Sequence, residues 1–251
     1  MKKTRLIALL ALVSILPLLA GRVIAGEIRL AVASNFAHAI TAIVEQFEMH
    51  TGHKAKLIFG STGKHYAQIS NGAPFDAYFA ADALRPELLE QEGLALPGTR
   101  FTYAIGKVIL WSPVTAYVDE QAKVLKQGGF RHLAIANPKL APYGWAAQQV
   151  LQALGLWDSL QPSMVRGENI GQTFQFVKSG NAELGFVAYS QVKRPGHPTE
   201  GSWWKVPQAL YTPIEQQAVL LQEGGAARAF MAYMQSDAAL EIIESHGYGV
   251  P

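Results

Sequence analysis

Two α/β lobes with a cleft between them are the fold class the sequence predicts. Three observations predict it. Short apolar runs of four to six residues suit buried strands, amphipathic helical stretches alternate with them, and 251 residues exceed the usual one-domain size of roughly 100–200. An apolar content of 49% supports a true core and excludes a disordered chain. The 16% of charged residues is too few for a coiled coil. With no cysteine there is no disulfide, no thiol nucleophile and no Cys-built metal site.

The first series opens with Ile28 to Ala33 (IRLAVA), an apolar run fit for a buried parallel strand. Ser34-Asn35 then stands where a helix N-cap is expected. Phe36, Ile40, Ile43, Val44 and Phe47 form one face of a helix that ends near Gly52. Lys56 to Phe59 predicts a second strand, followed by Gly60-Ser61-Thr62-Gly63 and a helix through Ile69. Ala77 to Ala80 gives a third strand and Pro86 to Gln91 a short helix, so the opening reads as a parallel β-α-β-α-β-α sheet.

A second series starts near Tyr103. Lys107 to Trp111 and Leu133 to Ala136 predict strands, and Gly144 to Leu154 a helix. Gly167-Glu168-Asn169 precedes a helix with Ile170, Phe174 and Val177 aligned, stopped by Gly180; Leu184 to Val187 is the next strand. Residues 193–202, rich in Pro and Gly, predict a surface loop. Ala209–Thr212 and Ala218–Leu221 predict returning strands, and Ala226 to Glu244 a terminal helix. Residues 26–105 with 213–251 are expected to form lobe I and residues 106–212 lobe II. The cleft is then expected at the strand carboxyl ends.

Residues 1–25 carry Lys2, Lys3 and Arg5, an apolar run from Leu6 to Ala20, and small residues ahead of a cleavage point after Ala25. That is the pattern of a secretory signal peptide, and the run is short of the ~20 residues that span a bilayer. Removing Lys2, Lys3, Arg5 and Arg22 from the 21 basic residues leaves 17 against 19 acidic ones, a net charge of −2. Bulk positive charge therefore attracts no ligand, and nucleic acid is not an expected partner.

The informative residues sit after strands, at helix starts: Ser34-Asn35, Ser61-Thr62, Pro142-Tyr143-Gly144 and Glu168-Asn169-Ile170. Each junction offers free backbone N–H groups at the positive end of a helix, where anions bind. Each alone is equally a plain cap worth about 1 kcal/mol. Other motifs fail on inspection. Gly60-Ser61-Thr62-Gly63-Lys64 lacks the spacing of a phosphate loop, and His65 replaces its Ser or Thr. Ser61 and Lys64 match Ser-x-x-Lys, which would make Ser61 a nucleophile and Lys64 its base in a hydrolase, but the companion motifs are missing. The seven histidines lack metal-ligand spacing, and Tyr143 and Tyr189 do not form the Tyr-Tyr pair of iron binders.

Four stretches carry a family resemblance: AVASNF (31–36), IFGSTGKHYAQISNGAPFDAYFAAD (58–82), AIANPKLAPYGWAAQQVLQALGLWD (134–158) and GENIGQTFQFVKSGNAELGFVAYSQV (167–192). Together they resemble the periplasmic molybdate-binding proteins of molybdenum ABC transporters, the ModA family, in the family's order. The resemblance implies a type II periplasmic-binding-protein fold, two α/β lobes joined by two crossover segments, with a tetrahedral dianion held between them. It implies no catalytic activity and no cofactor. The implied partners are molybdate or tungstate and an inner-membrane ABC permease, and the implied state is a periplasmic monomer without stable membrane insertion. A receptor for sulfate or another small oxyanion is the alternative within this class.

By the same resemblance, Ser34 is a hydroxyl ligand and Asn35 a neighbour used in some members. Thr62, with Ser61 beside it, is the second-loop hydroxyl, and Tyr143 and Ile170 supply backbone N–H groups. Where some members place a Tyr hydroxyl, this chain has Ala188 followed by Tyr189. Either that donor is missing, or Tyr143 or Tyr189 replaces it, with Tyr143 the better substitute. A dianion accepts hydrogen bonds only, and charge-assisted bonds contribute roughly 1.5–3 kcal/mol each, so uncharged donors suffice to hold it.

Overall fold

The computed structural model describes residues 25–251. The signal-peptide reading of residues 1–25 therefore lies outside the described residues, apart from Ala25. In chain order the first half holds β1 (Glu27–Ala33), a single 3-10 turn (Ser34–Phe36), α1 (Ala37–Thr51), β2 (Lys54–Gly60), α2 (Thr62–Ser70), β3 (Ala77–Phe79), α3 (Leu84–Gln91) and β4 (Phe101–Gly106). The chain then crosses to β5 (Val108–Ser112), α4 (Val124–Gln127), β6 (Leu133–Ala136), α5 (Pro142–Ala153), α6 (Trp157–Leu160), β7 (Met164–Gly167), α7 (Ile170–Lys178), β8 (Leu184–Ala188), α8 (Tyr189–Val192) and β9 (Ser202–Lys205). It crosses back to β10 (Ile214–Leu220), α9 (Gly225–Tyr233) and α10 (Asp237–Ser245).

Two five-stranded sheets result, ordered β2-β1-β3-β10-β4 and β7-β6-β8-β5-β9. This is the two-lobe type II fold. β1 pairs in parallel with β2 and β3, as expected from the alternating pattern. The first sheet is nevertheless mixed, because β10 returns from the second lobe and pairs antiparallel with both β3 and β4. The second sheet is built the same way, with β6 parallel to β7 and β8, and β5 antiparallel to β8 and β9.

Each lobe owns a core. In the first, α1 buries Ile40, Ile43, Val44 and Phe47, the face its spacing predicts, against Leu30, Val32 and Phe230. Each such fully buried side chain contributes about 1.5–3 kcal/mol. Gly52 ends α1 at φ 73°, a left-handed turn that a side chain would strain. In the second core, Leu133, Ile135, Val150, Leu151 and Phe186 pack together with Ala33 at the end of β1 and Ala81 just beyond β3, so the lobes meet there.

Several expectations need correction. Residues 209–212 form no strand; residues 208–210 are a 3-10 turn, and the strand that pairs with β5 is instead β9, which begins at the end of the expected loop. β4 and β7 were not anticipated as strands. The terminal helix is two helices, because the Ser236 hydroxyl accepts from the Ala239 N–H and starts α10 afresh. Ser34-Asn35 is not the cap of α1. It lies inside the 3-10 turn, the helix starts at Ala37, and neither side chain caps it.

Candidate functional site

Freed from capping, Ser34 and Asn35 look elsewhere. The Ser34 Oγ donates to Asn169 Oδ1 (3.1 Å) and accepts from the Gly171 N–H (3.1 Å), linking the first lobe to the start of α7. The Asn35 Nδ2 donates to Gln216 Oε1 (2.7 Å) and to the Tyr248 hydroxyl (3.1 Å). The Asn35 carbonyl accepts from Ser190 Oγ (3.1 Å), another contact between the lobes.

The second junction is a true cap with a hydroxyl to spare. The Ser61 Oγ accepts from the Lys64 N–H (3.3 Å) and starts α2. Thr62 is the first residue of that helix, and its Oγ1 accepts from the Ala81 N–H (3.0 Å) while its carbonyl accepts from the Tyr78 hydroxyl (2.7 Å). Both hydroxyl oxygens are fixed by an incoming N–H, and neither proton is claimed by an acceptor among the described residues. The Gly63 N–H donates across the cleft to the Leu140 carbonyl (2.8 Å), and a Cβ on Gly63 would come within 3.2 Å of Leu140 Cα.

These loops enclose a small cavity of about 10 Å³, room for the centre of one water-sized sphere, lined by Ser34, Asn35, Ser61, Thr62, Tyr143 and Ile170. The volume is below the roughly 300–1,000 Å³ of sites for drug-sized ligands and suits a small ion. The N-termini of α2, α5 and α7 all reach it, each equivalent to roughly half a positive charge. The Tyr143 and Ile170 N–H groups, at the starts of α5 and α7, meet no acceptor among the described residues. No Lys or Arg lines the cavity. Lys64 is engaged with Glu168 of the opposite lobe (2.7 Å) at the half-exposed cleft edge, so Ser61 is given no base. The wider groove next to the cavity, walled by Leu84, Trp145, Pro213 and Ile214, carries Glu215 and the Asp82–Arg85 ion pair.

Six of the seven residues expected at the site are thus brought together. Tyr189 is not: it begins α8, its N–H donates to the Lys107 carbonyl (2.9 Å), and a Cβ on Gly247 would meet its ring at 2.7 Å. Tyr143 lines the cavity, but its hydroxyl lies deep in the first lobe, accepting from Gln216 Nε2 (3.3 Å). Gln216 escapes a reading of the sequence. It is fully buried and touches Asn35, Tyr103 and Tyr143, but it stands between Glu215 and Gln217 in the run IEQQAVL, where nothing local sets it apart.

His65 supports the second loop from below. Its ring nitrogens lie 3.0 Å from Gln68 Oε1 and 3.2 Å from the Val32 carbonyl, and a Cβ on Gly60 would press on the ring at 2.8 Å. Burial, the largest influence, pulls its pKa below the ordinary 6.5. The unfolded chain therefore takes up the proton first, and stability present above pH 6.5 is lost as pH falls below it. The partly buried His38 is also lowered, first by burial and then by Arg194, and adds the same sign. The melting temperature is expected to fall from pH 7.5 to pH 5.5, and to fall less in His65→Gln; an identical slope in that variant would contradict the account.

A two-lobe α/β chain with a donor-lined cavity between its lobes has the architecture of a ligand receptor. Residues 28–249 match the family of bacterial extracellular solute-binding proteins. The chain is 52% identical over 229 residues to the molybdate-binding protein ModA of Azotobacter vinelandii, covering 90% of this chain and 91% of that one. It is 48% identical over 228 residues to ModA of Rhodobacter capsulatus, covering 89% and 88%. The solved periplasmic molybdate-binding protein of Azotobacter vinelandii superposes with a TM-score of 0.87 at 44% identity, covering 89% of this chain and 99% of that one. The chain belongs to the ModA family of bacterial extracellular solute-binding proteins.

Proposed function

We propose that this protein is a periplasmic receptor that captures molybdate, and tungstate with it, and delivers the oxyanion to an inner-membrane ABC permease without catalysing a reaction. The observation that carries this reading is the convergence of uncharged donors on one small cavity. Three helix N-termini and the Ser61 and Thr62 hydroxyls meet there with no cation lining it. Such a shell prefers a guest that only accepts hydrogen bonds. A protonated phosphate brings a donor of its own, which displaces one bond. The two named ModA relatives, near 50% identity over nearly the whole chain, support the same ligand.

In this reading residues 1–25 are a secretion signal removed on export. Lobe I comprises residues 26–105 and 213–251, lobe II residues 106–212, and the receptor acts as a monomer. Among the described residues no helix is long and apolar enough to cross a membrane. Ser34, Asn35, Ser61, Thr62, Tyr143 and Ile170 form the ligand shell, and Tyr189 acts as packing. Titration calorimetry of the chain from residue 26 onward tests the proposal. Molybdate and tungstate are expected to bind comparably, with sulfate and phosphate about 100-fold weaker or worse. No heat with molybdate, or tighter binding of sulfate, would overturn it.

A further inference from the structure

Behind the cavity lies a buried polar network whose hydrogen count does not balance. The Gln216 Oε1 accepts from Asn35 Nδ2 (2.7 Å) and lies 3.2 Å from the Tyr103 hydroxyl. That hydroxyl has a single proton and also faces the Ala80 carbonyl at 3.0 Å. The Gln216 Nε2 donates to the Tyr143 hydroxyl, whose own proton has no acceptor among the described residues. Asn35 Oδ1 is buried with no partner at all, in a residue that lines the cavity. An unmatched carbonyl oxygen beside a dianion site is repulsive as well as unsatisfied.

Turning both amides by 180° about their terminal bonds exchanges oxygen for nitrogen at unchanged positions. The Gln216 NH₂ then donates to Asn35 Oδ1 and to Tyr103, Tyr103 donates to Ala80, and the Tyr143 proton finds Gln216 Oε1. The single Tyr248 proton, which goes to the Asn35 backbone carbonyl (2.8 Å), either stays there or turns to Asn35 Oδ1, and that carbonyl accepts from Ser190 in both cases. Every group in the network but one is then matched, and the end left over is an Asn35 N–H pair, free for the anion, instead of an oxygen.

We propose that Gln216 is a positioning residue that turns together with Asn35 and so sets which end of the Asn35 amide faces the anion. This rests on the oxyanion reading above and adds to it a residue outside the cavity wall. Gln216 contacts Asn35, Tyr103 and Tyr143 together, and turning its amide exchanges oxygen and nitrogen while leaving the outline of the side chain unchanged. It ties the donor count of the pocket to a side chain on β10, which returns from the second lobe.

The test is a double-mutant cycle read by molybdate calorimetry at pH 8, with side-chain amide NMR of the ¹⁵N-labelled protein. Gln216→Glu installs an acceptor-only group, which holds the Asn35 N–H pair inward and leaves its oxygen on the anion. Affinity is expected to fall about 100-fold, and to fall far less when the same change is made in an Asn35→Ala background. Gln216→Met, which dictates neither orientation, is expected to lose only about 3- to 10-fold. The Asn35 NH₂ resonance, identified by its absence in Asn35→Ala, is expected to shift on adding molybdate to the native protein. An equal loss for Gln216→Glu in both backgrounds would show plain charge repulsion and overturn the proposal. So would an Asn35 resonance unmoved by molybdate, which stays measurable if Gln216→Glu does not fold. Failure of the native protein to bind molybdate would instead sink the functional reading.

Discussion

Thr62→Val is expected to weaken molybdate binding by about 10- to 100-fold, the loss of one charge-assisted bond of roughly 1.5–3 kcal/mol. Valine keeps the shape of threonine, so the change removes a hydroxyl and little else. That hydroxyl has two duties. Its oxygen accepts the buried Ala81 N–H at 3.0 Å, and its proton is left for the cavity. The variant should therefore also melt lower without ligand, because an orphaned buried N–H costs about 1–3 kcal/mol. Thr62→Ser keeps both duties and should bind within a few-fold of the native protein. Calorimetry on the pair, with thermal melts of the free proteins, separates the two effects. A Thr62→Val protein that binds like the native one would remove Thr62 from the ligand shell.

Gly144→Ala is expected to destabilise the protein strongly. A Cβ at this position would lie 2.7 Å from the Ala136 carbonyl carbon and 2.9 Å from that of Asn137, both backbone atoms at the end of β6. Backbone cannot swing aside as a side chain can, so α5 would have to lift off the sheet it packs against. Overpacking costs typically ~1–3 kcal/mol, and a backbone clash belongs at or beyond the top of that range. The same shift would carry away the Tyr143 N–H, one residue earlier. The variant is expected to melt well below the native protein and to bind molybdate weakly at temperatures where it is still folded. A normal melting temperature would mean that the start of α5 is more pliable than its packing implies.

How far the sequence foretold these features depended on whether local chemistry or long-range pairing decided them. The runs at 133–136 and 184–187 are buried throughout, and that at 28–33 everywhere but Arg29, so all three read directly as strands. β9 alternates, with Ser202 and Trp204 buried and Trp203 and Lys205 exposed, and its four residues gain strand character only by pairing with β5. At the site, cap chemistry correctly placed Ser61 and Asn169, whose side chains accept from Lys64 and Gln172. It misjudged Ser34 and Asn35, because a cap and a 3-10 turn share the same residues until the partners of the side chains are known. Tyr189 missed by a single position: Ala188 still belongs to β8 and the chain turns there, so the ring points to Gly247 rather than to the cavity. Gln216 could not be found from neighbours in sequence, since its partners lie 73 to 181 residues away.

The place of β10 bears on how the polypeptide comes to be folded. It sits between β3 and β4, and it is supplied by residues 214–220, after the whole second sheet has been laid down. Until that stretch arrives, the first half has two strand edges with nothing to join them, and its helices have an incomplete surface to rest on. Closure of contacts so distant along the chain is slow, and a partly delivered chain cannot lock prematurely. If the chain is exported before it folds, as the proposed function requires, keeping the strand that completes its first sheet near the trailing end delays that sheet until export is nearly done.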